Sequence, residues 1–170
     1  FRESDFDKDM AAANVRALKK EIAIAKEKSG GRGLVAVNIM TAMNYFEESA
    51  RAAVEGGADA IVSGAGLSKN LPGLTKGTDV LIAPVVSSGR AAKVIARLWD
   101  RHYGVAPDFV VIEGSNAGGH LGFAPEELQN GTCQTLDQIL PEVKKELAPF
   151  EEKYGRHIPV FVAGGMRTAD

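Results

Sequence analysis

Five short apolar runs, each separated from the next by residues of helical period, leave this chain few ways to fold. The runs are Leu34–Met40 (LVAVNIM), Ala60–Gly64 (AIVSG), Val80–Ser87 (VLIAPVVS), Phe109–Glu113 (FVVIE) and Pro159–Ala163 (PVFVA). They are rich in Val and Ile and nearly continuously apolar rather than alternating, which is the pattern of parallel strands buried on both faces. The intervening segments read as helices. Asp5–Lys28 carries Met10, Val15, Leu18, Ile22 and Ala25 at helical spacing and stops at Gly30–Gly31. Asn44–Glu55 starts with Asn44 as N-cap and Glu47 three residues on, and ends at Gly56–Gly57. Gly89–Tyr103 puts Ala92, Ile95, Ala96 and Trp99 on one face and ends at Gly104. Thr135–Tyr154 is helical, with Pro141 and Pro149 marking a start or breaks.

The order αβαβαβαβαβ predicts a parallel sheet joined by right-handed crossovers. The runs begin at 34, 60, 80, 109 and 159. The first three spacings suit the roughly 30 residues per unit of a (β/α)8 TIM barrel. The last spacing is longer by roughly 20 residues, Gly114–Cys133, a loop rich in Gly, Asn and Pro; loops beyond about 15 residues are usually functional or disordered. The fold expected is therefore α/β, a TIM barrel of which the chain holds only part, in a single domain over residues 1–170. The absence of an initiator Met and an ending, VAGGMRTAD, at an expected helix start both read as cuts from something longer.

Charge and composition narrow the function. Net charge is −2 with both signs scattered, so no basic stripe points to nucleic acid. No apolar run approaches the roughly 18 residues of a membrane span. Phe1–Asp9 is charged and lacks the apolar stretch of a secretory leader. The one cysteine, Cys133, rules out an internal disulfide framework and fits a reducing compartment, so a cytoplasmic protein is expected.

In parallel α/β folds the site forms at the carboxyl ends of the strands. After the first run, Asn38 is a polar residue inside an apolar stretch; its amide can donate and accept toward a flat heterocycle, or be satisfied by neighbouring backbone. Ser63–Ser68 is small enough for close backbone approach, or is a tight turn. Ser87 or Ser88 caps the next helix, and Pro84 marks a position needing no ladder donor. The fourth run leads into Glu113-Gly-Ser-Asn-Ala-Gly118-Gly119-His120-Leu-Gly122. That stretch sets four glycines around one histidine, and an imidazole there can act as a base near neutral pH. A mobile surface loop is the plainer alternative. After the fifth run, Gly164–Gly165 leading into a helix start would expose N–H groups to an anion, or form an ordinary left-handed turn. His102, near a helix end, and His157 pair with nothing at metal-ligand spacing, and no metal is expected. Trp99 reads as core, and Lys144–Glu146 as a solvated helix face.

The strings ADAIVSGAGLSKNLPG, VLIAPVVSSGRAAKV, VVIEGSNAGGHLGF and PVFVAGGM together resemble the nitronate monooxygenase (2-nitropropane dioxygenase) family, which is closely related to the flavin-dependent enoyl-ACP reductases. The likeness runs from about Leu34 to Met166, and AGGH followed in order by AGG is its most specific part. It implies a TIM barrel holding FMN at the strand carboxyl ends, with the five runs as family strands 3–7. Asn38 matches a flavin-contacting Asn, and Gly118, with Gly119 beside it, a flavin-contacting Gly. Gly164 and Gly165 match the phosphate turn, and His120 the catalytic base. Glu113 stands where many nitronate monooxygenases have Gln and many reductases Glu; Leu121 replaces the usual Arg. The implied activity is oxidation of alkyl nitronates or nitroalkanes with O2 to a carbonyl compound and nitrite. The alternative is an enoyl-ACP reductase using FMN and NAD(P)H. The implied partner is a small-molecule substrate, with a homodimer as the oligomer to test.

Overall fold

A computed structural model describes residues 3–166 of the chain. The chain folds in the order α1 (Glu3–Ser29), β1 (Ala36–Met40), α2 (Phe46–Glu55), β2 (Ala60–Gly64), α3 (Leu71–Leu74), β3 (Leu81–Val86), α4 (Gly89–Tyr103), β4 (Val110–Glu113), α5 (Pro125–Asn130), α6 (Leu136–Tyr154) and β5 (Val160–Ala163). All neighbouring strands pair in parallel, and their spatial order is β1-β2-β3-β4-β5. A doubly wound sheet reverses its strand order at a switch point. This sheet never reverses, which is the winding of a TIM barrel wall.

The two faces of the sheet differ. Ile39, Ile61, Ile82, Val86, Val110 and Ile112 are buried with Trp99 and Ile95 of α4 and with Ile139, Val143 and Leu147 of α6 in one core. On the other face, register aligns Asn38 with Val62 and Met40 with Gly64; Val85 lies beside Val111, and Glu113 beside Ala163. Here Met40 and Phe161 are exposed, Phe161 by 57%. Burial on both faces, expected from the unbroken apolar runs, is complete on the helix side; on the second face the small Ala60 and Ala83 are buried while Met40 and Phe161 are not. The apolar residues of the second face line the concave side that a full barrel fills with side chains from all eight strands.

Aspartates fasten the amino ends of two strands. Asp59, before β2, accepts from the backbone N–H of Val35 at 2.7 Å and from Lys26 Nζ at 2.5 Å. The hydrogen bond from Lys26, then that from Val35, holds its carboxyl below the usual range. Asp108, before β4, accepts from the N–H of Ile82 at 2.8 Å and pairs with Arg156 at 3.1 Å. Both clamps lie at the end of the sheet opposite the candidate site.

The helices differ from expectation where local chemistry competes. Asn44 does not cap α2. The helix starts at Phe46, whose ring is buried, with Tyr45 at the boundary and no side-chain cap, and Glu47 instead accepts from the amide of Asn70. Pro141 and Pro149 do not break α6; both lie inside it. An interior proline loses one backbone bond, and here the burial of Ile139, Val143, Leu147 and Phe150 against the core outweighs that loss. The loop expected over Gly114–Cys133 contains α5, with Pro125 in its first turn, Glu127 accepting from the Ala124 N–H at 2.9 Å, and Gly131 ending it at φ 63°. The short α3, also with a proline in its first turn, was not expected.

α4 and α6 are strapped together. Gly89 approaches Glu142 so closely that a Cβ there would lie 3.0 Å from the Glu142 side chain and 3.1 Å from its backbone. Lys93 meets Glu146, and Lys153 meets Asp100, each at 2.6 Å. Tyr154 also donates to Asp100. Burial first, and that hydrogen bond second, push the Tyr154 phenol up to about 12.

Candidate active site

At the carboxyl end of the sheet the register gathers residues from four separate strands. Asn38 and Met40 of β1, Gly64 of β2, Val85 of β3 and Glu113 of β4 all point to the open face. With Ala65 and the turn Gly118-Gly119-His120 they line one cleft of about 170 Å3. Asn38, Glu113, Gly118, Gly119 and His120 are therefore brought together, although 82 residues separate the first from the last. The Asn38 amide stands on the exposed face rather than inside the layer of helices.

The turn that carries His120 has identifiable supports. The Ala117 N–H donates to the Gly114 carbonyl at 3.1 Å, and Gly114 N–H to Ala163 at 3.3 Å, which ties the start of the loop to β5. Ser87 Oγ donates to the Gly122 carbonyl at 2.9 Å, which ties its far end to β3. Of the two serines there, Ser88 is the helix cap: its Oγ accepts from Ala91 N–H at 3.2 Å. Gly118 and Gly119 leave open space, since a Cβ built on either meets no atom within 4 Å. His120 itself is exposed at the mouth.

Gly164 and Gly165 sit behind the same turn, outside the cleft. Both have positive φ, 99° and 75°, and Cβ atoms there would press on Ala117 and Asn116. Gly164 lines a separate groove with Gly114, Ser115 and Asn116. The helix start expected to follow them lies outside the described residues.

Sequence reasoning missed two lining residues, Met40 and Val85, although Met40 was accessible through strand period because it shares Asn38's face two residues on. Gly64 and Ala65 belong to the Ser63–Ser68 stretch read as open to close backbone approach, but the conformation of Ala65 was not foreseen. It adopts φ 52°, a left-handed conformation that costs a residue with a Cβ about 1 kcal/mol, at the boundary of the cleft. Pro84 falls where the ladder changes partner: pairing with β2 ends at Ser63–Pro84 and pairing with β4 begins at Val85.

A second cavity of about 430 Å3 adjoins the cleft, and Ala65, Val85, Glu113 and His120 line both. The other histidines are elsewhere: His102 is in the last turn of α4 and His157 pairs with Glu151 at 2.6 Å. Among the described residues there is no cluster that could hold a metal ion, and no helix is long and apolar enough to cross a membrane.

The family model described as nitronate monooxygenase matches residues 10–170. No curated protein matches the chain. Among solved structures, FabK from Thermotoga maritima superposes with a TM-score of 0.64 at 22% identity, over 89% of this chain and 40% of that one. Nitroalkane oxidase from Streptomyces ansochromogenes gives 0.65 at 15% identity, over 89% and 48%. The chain thus spans less than half the length of either structure, and what it shares with them is the fold.

Proposed function

This chain belongs to the nitronate monooxygenase family, and we propose that it forms the catalytic wall of an FMN-dependent oxidoreductase that converts alkyl nitronates or nitroalkanes to a carbonyl compound and nitrite with O2. The observation that carries the reading is the convergence of Asn38, Glu113, Gly118, Gly119 and His120 on one cleft at the strand carboxyl ends.

The residues present suit a flat heterocycle. Gly118 and Gly119 offer bare backbone facing open space, Met40 and Val85 offer apolar contact, and Asn38 and Glu113 offer polar groups at the edge. Asn38, Glu113, Gly118 and Gly119 would hold the ring, with Gly164 and Gly165 on the phosphate side. Bound FMN would supply the redox chemistry, as cofactors of this type do, while the protein supplies position and electrostatics. His120, at the mouth and lining both cavities, takes the α-proton of a neutral nitroalkane or orients a nitronate that has already lost it. The loop tethers from Ser87 and Gly114 hold that imidazole beside Glu113.

Glu113 favours a second reading, because the enoyl-ACP reductases that the sequence resembles carry Glu there. In that case NAD(P)H, not the substrate, delivers the electrons. Freshly purified full-length protein distinguishes the two. A visible flavin band with nitrite released from an alkyl nitronate under air is expected. A flavin band with NAD(P)H consumed by a crotonyl thioester, and no nitrite, selects the reductase. Colourless protein that takes up no FMN rules out both.

A further inference from the structure

The 430 Å3 cavity beside the cleft rounds the carboxyl end of β3. It touches Val85, which faces the open side of the sheet, and also Pro84 and Val86, which face the helices. Beyond them it reaches Ala91 and the buried Ile95 of α4. The cavity therefore leaves the concave side and runs into the layer between sheet and helices. Leu121 and Gly122 line it as part of the loop that Ser87 fastens. That fastening requires glycine, because a Cβ on Gly122 would overlap the Ser87 hydroxyl.

Its size lies in the range of small-molecule sites, about 300–1,000 Å3. Apart from Glu113 and His120 at the shared mouth, its side-chain walls are apolar except for Ser87, whose hydroxyl is engaged by Gly122. Nothing deep in it offers a charge or a free donor to a phosphate or a carboxylate. A bent, apolar path that opens at the base suits a flexible hydrocarbon.

We propose that this cavity holds an unbranched alkyl tail of the substrate whose reacting carbon lies at His120, and that Ala91 sets how long a tail is accepted. The proposal rests on the reading of the neighbouring cleft as the reaction site. Ala91 is suited to the role because its backbone is fixed by the Ser88 cap, and its single methyl lines the α4 side of the cavity beside Ile95. A leucine or phenylalanine there fills the space from a helical position that tolerates either residue.

Two readouts on the full-length holoenzyme test this. The first is KM for 1-nitroalkanes of two to ten carbons. KM is expected to fall about fourfold per methylene, the factor that burying one CH2 gives, until the cavity is full. Ala91→Leu should shorten that range and Ala91→Phe flatten it. The second, independent of flavin and turnover, is calorimetric titration with 1-octanol, whose binding Ala91→Phe should weaken at least tenfold while the circular dichroism spectrum is unchanged. A flavin-loaded enzyme with no dependence on chain length, or a dependence unchanged in both Ala91 variants, overturns the tail cavity and leaves the flavin reading intact. Colourless protein that still binds 1-octanol, with binding lost in Ala91→Phe, supports the cavity and overturns the flavin reading.

Discussion

Replacing His120 with alanine should leave FMN bound and lower turnover of a neutral nitroalkane by about 10²–10⁴-fold, the usual worth of a positioned general base. The expectation follows from placement. His120 ends the Gly118–Gly119 turn, stands exposed at the mouth, and borders both the cleft and the adjoining cavity, so a carbon lying between them is close to its ring. The variant should separate two substrates. A neutral nitroalkane must lose its α-proton, and an alkyl nitronate has already lost it, so the nitronate should be affected far less. Glu113 is the competing base in the same cleft. If His120→Ala turns over nitroethane normally while Glu113→Gln does not, the roles are reversed. Loss of both substrates together with loss of the flavin band would mean that His120 serves binding instead.

Trp99→Ala should cause the largest loss of stability, about 3–5 kcal/mol. Trp99 is completely buried at the centre of the core that joins β1–β4 to α4 and α6. Its indole N–H donates to the Ser68 carbonyl at 2.9 Å, and Ser68 Oγ meets Ser63 Oγ at 2.6 Å, so one ring links the helix layer to the turn after β2. Alanine would leave a large void and a carbonyl without its donor. Trp99→Phe keeps most of the packing and removes only the donor, and should cost about 1–3 kcal/mol. Because the chain has one tryptophan, denaturant unfolding of the variants should be followed by circular dichroism. A loss under 1 kcal/mol for Trp99→Ala would contradict this account of the core.

The sequence announced the alternation of strands and helices because glycine punctuates it so regularly. Gly104 ends α4 at φ 67°, and Gly56 and Gly57 follow α2. The residues of β2 and α4 match those read from the pattern; β1, β4 and β5 differ by one or two residues at their amino ends, and β3 by one residue at each end. What could not be read was set by tertiary contacts. Pro141 and Pro149 look like breaks locally, and only the buried face of α6 explains why the helix continues. The helix α5 was masked by the Gly, Asn and Pro around it, although Pro125, Glu126 and Glu127 at its start and Gly131 at its end were signals. The strand-end rule located Asn38, Glu113 and the histidine turn. It did not separate the corner at Gly164–Gly165 from the cleft, because that depends on how close the corner packs to Asn116 and Ala117. The left-handed φ of Ala65 carried no signal beyond the glycines on either side of it in the Ser63–Ser68 stretch.

Gly118→Leu in the full-length protein tests the cleft most directly. Gly118 has space around its Cβ position and does not adopt positive φ, so the substitution should not strain the fold. A leucine side chain would instead occupy the space assigned to the flavin. The account predicts a variant whose FMN-free form melts within a few degrees of the unsubstituted protein, yet which no longer retains FMN through gel filtration. A Gly118→Leu protein that keeps one FMN per chain, with the ordinary flavin spectrum, would contradict it.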